Sequence, residues 1–519
     1  MNKLCVILNV LVCIATGVNA QNMEAPNSYE ARLYDEMQNL WQQTMNPAGM
    51  TRDSVRERGM AYADFNHNEG THYLVQNGDR NNNLSFYADA YKKLSKYVLG
   101  YGSVSFGMGR MFNRGWSDVI RTYHSDPYVS GSSVTGSYDR QDVELTAAIS
   151  SVDFNGLTYG FRLDYNVADL SRLRDPRSRV NLAEYRITPA VTYKKCNVVM
   201  GVSAHYKRRK EKLDSYKVVN TDADYVFYTF TGLENATSIT GGYTGYQREY
   251  VDHELGAELT FSFSHDGFQS LSSLTYNKAV EDIFGIYKYM PGKYNRKEIA
   301  FQTCNVFSQS NGVSHKIDFR FASRPSYGDE YRQSMKYETD AQTGITSRWW
   351  ETTLETKKRY EMTDYVAALH YRMSWARDGK VKSYAGANLS YAYNKEEYHL
   401  PESSLEVAGV DVLVEGGTSL FRKKQRALWV EGVFGYHVSA KSNLLLNDET
   451  TDYAVNVLVP DMTFWSAGFL QGKASVSYQF PMTIKDVCRE YFVKAYGHVI
   501  STDKDTNAWG TGVSFGVFY

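Results

Sequence analysis

Beyond its first residues this chain has no long hydrophobic run. After residue 20 no apolar stretch reaches the roughly 18 residues that a membrane helix needs, so a helical membrane protein is excluded. Proline is scarce, at 10 in 519 residues. Each proline removes a donor from a ladder, so its scarcity suits long strands. Cysteine is scarce as well. Cys5 and Cys13 fall in the leading segment, and Cys196, Cys304 and Cys488 are odd in number and widely spaced. That set excludes a disulfide scaffold and a zinc knuckle. Charge of one sign is also missing: 57 Lys and Arg stand against 58 Asp and Glu. Nothing in that balance draws the chain to nucleic acid, and no such partner is expected. No H-E-x-x-H, P-loop or nucleophile elbow stands out, so neither an enzyme nor a cofactor is expected.

What is present is tyrosine, at 42 residues, and glycine, at 39. Both serve twisted strands with aromatic rims. The first twenty residues read as a processing signal. Met1-Asn2-Lys3 is a short positive start, Leu4 to Ile14 is apolar except for Asn9, and Val18-Asn19-Ala20 is a small-residue cleavage site. Cleavage near Ala20 is expected, with residues 1–20 removed and the mature chain beginning at Gln21. Residues 21–58 then form an amino-terminal helical segment. Tyr29, Leu33, Met37, Leu40, Trp41 and Thr44 share one helix face, Ser28 is a fit N-cap, and Asn46-Pro47-Ala48-Gly49 ends the run.

From about Gly59 to Tyr519 the period is two. Leu157, Tyr159, Phe161, Leu163, Tyr165 and Val167 alternate with Thr158, Gly160, Arg162, Asp164 and Asn166. A soluble sandwich also alternates, but here the runs are long and the connections segregate. Tight turns fall at 95–96, 154–156, 195–197, 264–267, 310–312, 377–380 and 440–442, and long polar stretches at 112–139, 211–248, 326–359 and 397–424. Short turns on one rim and long loops on the other mark a transmembrane antiparallel β-barrel. The expected fold is therefore all-β, a closed barrel of about 18 strands (range 14–18) with a short amino-terminal helix. The segment 443–455 is read as one of those strands. Such a barrel belongs in the outer membrane, among lipid and lipopolysaccharide.

The opposite strand face is charged. Arg162, Asp164, Glu184, Arg186, Lys316, Asp318, Arg320 and Arg372 are expected to face the lumen, either as a paired, watered lining or as a selective path. Lys207, Arg208, Arg209 and Lys210 lie at the outer end of a strand. They read as a solvated loop end or as a contact for lipopolysaccharide phosphates. The run Tyr225 to Phe230 in a long loop either folds over the mouth or meets a partner.

The final strand alternates Trp509, Thr511, Val513, Phe515, Val517 and Tyr519 with small residues. It resembles the carboxy-terminal signal read by the barrel-assembly machinery. The stretch Leu40 to Met50, with Asn46-Pro47-Ala48-Gly49, is similar to the N-P-A-G element of long-chain fatty-acid-transporter-like barrels. In that family the element belongs to a lumenal hatch, so the resemblance implies Trp41, Asn46, Pro47 and Gly49 as hatch residues. Over its whole length the chain resembles an uncharacterised family of Gram-negative outer-membrane barrels. About forty residues between Gln21 and the first strand are too few for the globular plug of TonB-dependent receptors. The leading expectation is a channel or transporter for an unidentified solute. The alternatives are a non-transporting surface adhesin or the barrel anchor of an envelope complex with a partner protein, and then an outer-membrane hydrolase.

Overall fold

The computed structural model describes residues 28–519 except 55–56, 124, 215, 221–224, 241–245, 424–425 and 485–486. The signal and its cleavage site lie outside the described residues. The barrel has 18 strands. In chain order they are β1 Arg58–Gly70, β2 Arg80–Ser95, β3 Val98–Arg114, β4 Gly136–Ser151, β5 Leu157–Arg172, β6 Arg179–Lys195, β7 Val198–Leu213, β8 Arg248–His265 and β9 Phe268–Phe284. There follow β10 Gly292–Ser308, β11 Val313–Thr339, β12 Thr346–Arg377, β13 Lys380–Tyr398, β14 Ser403–Lys423, β15 Arg426–Leu445, β16 Phe469–Ile484, β17 Val487–Thr502 and β18 Asn507–Phe518. Each strand pairs antiparallel with the next, and β18 pairs with β1 to close the ring. Closure leaves no edge, which is what hydrocarbon demands of a sheet.

Alternation decides the faces. On β5, Tyr159, Phe161, Leu163 and Tyr165 are exposed on the outside, while Arg162 and Asp164 point inward and pair with each other at 2.8 Å. Residues as apolar as Leu255, 65 % exposed, and Leu259, 56 % exposed, lie bare on the outer wall. In water that surface would be a liability; in hydrocarbon it is the required solvent contact. Short turns gather on one rim. Asp266-Gly267 and Asp378-Gly379 take positive φ at both residues, the two-residue turn that matches strand twist.

The strand count matches the expectation through two errors that offset each other. Residues 397–424, read as a loop, contain β14. Residues 443–455, read as a strand, contain only the end of β15 before the chain leaves the wall; Ala454–Leu458 and α2, Val459–Trp465, are helical. The turn expected at 440–442 is mid-strand. The loop expected at 326–359 is a hairpin, because β11 and β12 are 27 and 32 residues long against 16 or 17 for most others.

Candidate functional site

Two pieces of the chain fill the lumen, one from each rim. The inner piece starts with helix α1, Tyr29–Gln38, capped by the Ser28 hydroxyl, which accepts from the Ala31 N–H. The helix spans the bore. Arg32 donates in bidentate fashion to Asp89 on β2, at 3.0 and 2.9 Å. The Tyr29 hydroxyl donates to Glu431 on β15 at 2.5 Å. Lys316 on β11 donates to the Glu36 carbonyl at 3.2 Å. After α1 the chain turns twice through short 3₁₀ turns and lies on β4 to β7.

The Asn46-Pro47-Ala48-Gly49 stretch lies at that wall, and all four residues are buried. The Asn46 side chain accepts from the Ala48 N–H at 3.0 Å and donates to the Val191 carbonyl at 3.4 Å. The Ala48 carbonyl accepts from Ser150 and Thr158 at 3.1 and 2.8 Å. Gly49 is where the Trp41 ring lies, and a Cβ there would collide with it. Trp41 itself packs beside Leu40, Val199, Leu271, Cys304 and Val306. Asp53 anchors the turn by accepting from the N–H groups of Trp41 and Gln42.

The outer piece is built from long loops. A three-stranded sheet of Ser130–Ser132, Val226–Gly232 and Asn235–Thr240 sits within the mouth. Trp116, Tyr128, Tyr228, Phe230, Tyr453, Val457 and Leu458 share one core with the inward wall residues Tyr250, Ile283, Tyr294 and Tyr360. The aromatic run at Tyr225 to Phe230 therefore folds over the mouth. Loop donors reach the wall: Arg121 bonds Glu281 at 3.0 Å, and the Ile120 N–H bonds Glu211 at 2.7 Å. Burial shifts two of the buried loop carboxyls upward. Burial pushes Asp461 up to about 6, although the Val75 N–H and the Tyr123 hydroxyl donate to it. Burial and the nearby Glu281 charge push Asp126 up to about 7.

Between α1 and the wall of β15–β18, β1 and β2 a cavity of about 640 Å³ remains. Its lining includes Tyr29, Tyr62, Tyr384, Tyr496, Phe492 and Phe518, with two carboxylates, Asp64 and Glu431, and two lysines, Lys473 and Lys494. Both acids are held. Glu431 accepts from Tyr29, Tyr384, Ser475 and Lys494, and Asp64 from Tyr496, Ser514 and Asn66. Gly512-Val513-Ser514-Phe515-Gly516 spells G-x-S-x-G, yet it lies mid-strand with the serine hydroxyl on Asp64, not on a strand-to-helix turn.

The expected lumen residues all lie on inward faces, but not at one place. Arg372 donates to Glu415 at 2.9 Å, and Lys316 and Asp318 stand together with His370 nearby. Glu184 and Arg186 lie on β6, with Arg186 against the Met45 sulfur at 3.9 Å. Arg320 is exposed to the lumen. None of these lines the 640 Å³ cavity. The cavity residues Asp64, Glu431, Lys473 and Lys494 are the more informative set. Their parity on strongly alternating strands was the signal for them.

The basic run is corrected by the same parity. Lys207 and Arg209 point inward, where Lys207 pairs with Glu254 and Arg209 with Glu211 and Glu281. Arg208 and Lys210 face outward, and Lys210 pairs with Glu249 at 3.2 Å, which leaves Arg208 to meet lipid.

Fold and site together define a transmembrane β-barrel whose bore is occupied from both ends by its own chain. The particular family follows from the sequence: the chain belongs to the family of unknown function DUF6850, whose model matches residues 47–519. No curated protein matches it. Among solved structures it is similar to the FrpB iron transporter from Neisseria meningitidis, with 10 % identity, 92 % of this chain and 83 % of that one covered, and a TM-score of 0.40. It is also similar to BauA, the ferric preacinetobactin receptor from Acinetobacter baumannii, with 8 % identity, 89 % and 80 % covered, and a TM-score of 0.39. Similarity of this size carries no argument about a solute.

Proposed function

We propose that this chain is a gated transporter of the outer membrane, with residues 21–58 as its inner hatch and the long loops as its outer one. The carrying observation is the bore: self-filled from both rims, with a cavity of about 640 Å³ left beside the helix. A barrel of this strand number encloses an aqueous lumen unless something fills it. Trp41, Asn46, Pro47 and Gly49 are the residues we assign to seating the hatch. The cavity charges cancel, two acids against two lysines, and tyrosines surround them. That lining favours a small polar solute without net charge. The strand ending at Tyr519 is the segment we assign to recognition by the assembly machinery.

The test is conductance in planar bilayers. Deleting Asn22–Met50 should raise the conductance of each opening, while the outer plug still sets how often the pore opens. An unchanged trace from a correctly folded deletion barrel would reject the hatch.

A second reading has its own observation. The β11–β12 hairpin projects far past its neighbours and exposes Tyr337, Ile345, Trp349 and Leu354. Such a tip suits a surface adhesin or the anchor of an envelope complex. Shortening the hairpin beyond Tyr331 should leave conductance unchanged. Loss of a stoichiometric co-purifying protein would favour the anchor.

A further inference from the structure

The outer wall carries charge just above its apolar surface, and most of that charge is paired. Arg110 faces Asp139 at 2.6 Å, Arg179 faces Asp169 at 2.7 Å, Lys210 and Lys288 share Glu249, Lys293 faces Asp282 at 3.3 Å, and Lys441 faces Glu406 at 2.7 Å. Arg208 on β7, Lys278 on β9 and Lys297 on β10 are outward cations with no acidic partner among the described residues. They are neighbours. Lys278 stands directly across from Lys297 in the β9–β10 register. On its other side Lys278 faces Leu255, which faces Tyr206, and Arg208 is two residues above Tyr206 on the same face. Both lysines are exposed.

Like charges directly opposite on a sheet repel. Where two lysines face each other with an arginine beside them, the cluster needs an anion from outside. The next row toward the short-turn rim is apolar. Ile299 and Tyr276 face each other there, followed by Phe301 and Leu274. These side chains are 51 %, 47 %, 38 % and 48 % exposed. An occupant must therefore offer phosphate above and acyl chain below.

We propose that Arg208, Lys278 and Lys297 bind the phosphates of lipid A, the phosphorylated glycolipid of the outer leaflet, with its acyl chains lying over Tyr276, Ile299, Leu274 and Phe301. Ammonium and guanidinium groups donate charge-assisted hydrogen bonds to phosphate oxygens. The bound phosphate relieves the lysine pair, so binding and barrel stability are linked. The four-cation run in the sequence contributes one residue to the site, and the other two come from β9 and β10.

The full mature barrel in mild detergent tests this by native mass spectrometry and thermal melting. Bisphosphorylated lipid A should bind at least about tenfold tighter than the same lipid stripped of phosphate, as expected for loss of charge-assisted contacts. It should also raise the melting temperature. The triple variant Arg208→Gln, Lys278→Gln, Lys297→Gln should lose that preference, and Lys395→Gln, elsewhere on the outer wall, should keep it. Should the triple variant fold poorly, Lys278→Glu gives a second test. It sets an acid across from Lys297, so it should melt higher than the parent without lipid and bind lipid A more weakly. Retention of the phosphate preference in either variant overturns the site. Equal stabilisation by inorganic phosphate, or by phosphatidylglycerol, overturns lipid A as its occupant.

Discussion

The two closures fill the same bore by opposite means. The inner one is a thin segment tied to the wall at scattered points: Arg32 to Asp89, Tyr29 to Glu431, and Ala48 to Ser150 and Thr158. Its polar anchors sit on β2, β4, β5 and β15, and its apolar side chains, Leu33 and Trp41 among them, pack against the wall rather than against each other as a core of their own. The outer one is a packed body with its own aromatic core and its own small sheet. The difference teaches how each can move. A segment held by independent ties loosens tie by tie, whereas a cored plug yields as a unit.

The comparison can be broken at the core first. Trp116→Ala removes a 4 % exposed ring from the outer plug and should cost about 3–5 kcal/mol. Protease should then cut at Arg121 and near Tyr228 together, because the plug opens as one body. Cleavage confined to one loop would deny its unity.

The next effect is pH. Asp461 is pushed up to about 6 and Asp126 to about 7 in the closed plug, while an open, hydrated loop restores ordinary carboxyl behaviour. Closure is thus favoured in acid, and the preference fades as pH climbs from the ordinary carboxyl range to about 6 for Asp461 and about 7 for Asp126. For Asp461 the preference is worth roughly 3 kcal/mol. Channel openings should therefore become more frequent from pH 5 to pH 8. Asp461→Asn should flatten the lower part of that curve; an unaltered curve would assign the gate elsewhere.

Smaller effects sharpen the inner side. Arg32→Ala removes a bidentate tie and should weaken seating of the hatch by about 2 kcal/mol. Thr158→Ala should weaken it by about 1 kcal/mol. Amide hydrogen exchange over 29–51 reads both, and the double variant should be additive if the ties are independent. A strongly non-additive pair would make the hatch a cooperative unit like the plug.

Much of the wall was legible because a lipid-facing strand must alternate and few soluble folds sustain that for so long. Legibility failed where the rule relaxes. β14 places Leu405 and Val407 on its inward face against the outer plug, so its upper end is apolar on both faces and the alternation blurs there. Helical packing at the outer plug was written in Ala454, Val457, Leu458 and Asp461, buried at helical spacing, but the preceding leucines read as strand. The basic run was misjudged by taking it as a cluster. In a strand, consecutive residues never share a side, and Lys207 and Arg209 belong to the interior.

The seam between β1 and β18 has a bearing on how the molecule is made. Gly59 and Tyr519 exchange backbone hydrogen bonds there, and the Tyr519 hydroxyl reaches the Asp89 carbonyl. These strands lie at opposite ends of the barrel sequence, so this line joins the two ends of the wall. Asp89 also holds Arg32 from within, so latch and cargo share one residue. A shift of the β2 backbone at Asp89 is therefore felt at the seam and at the hatch together.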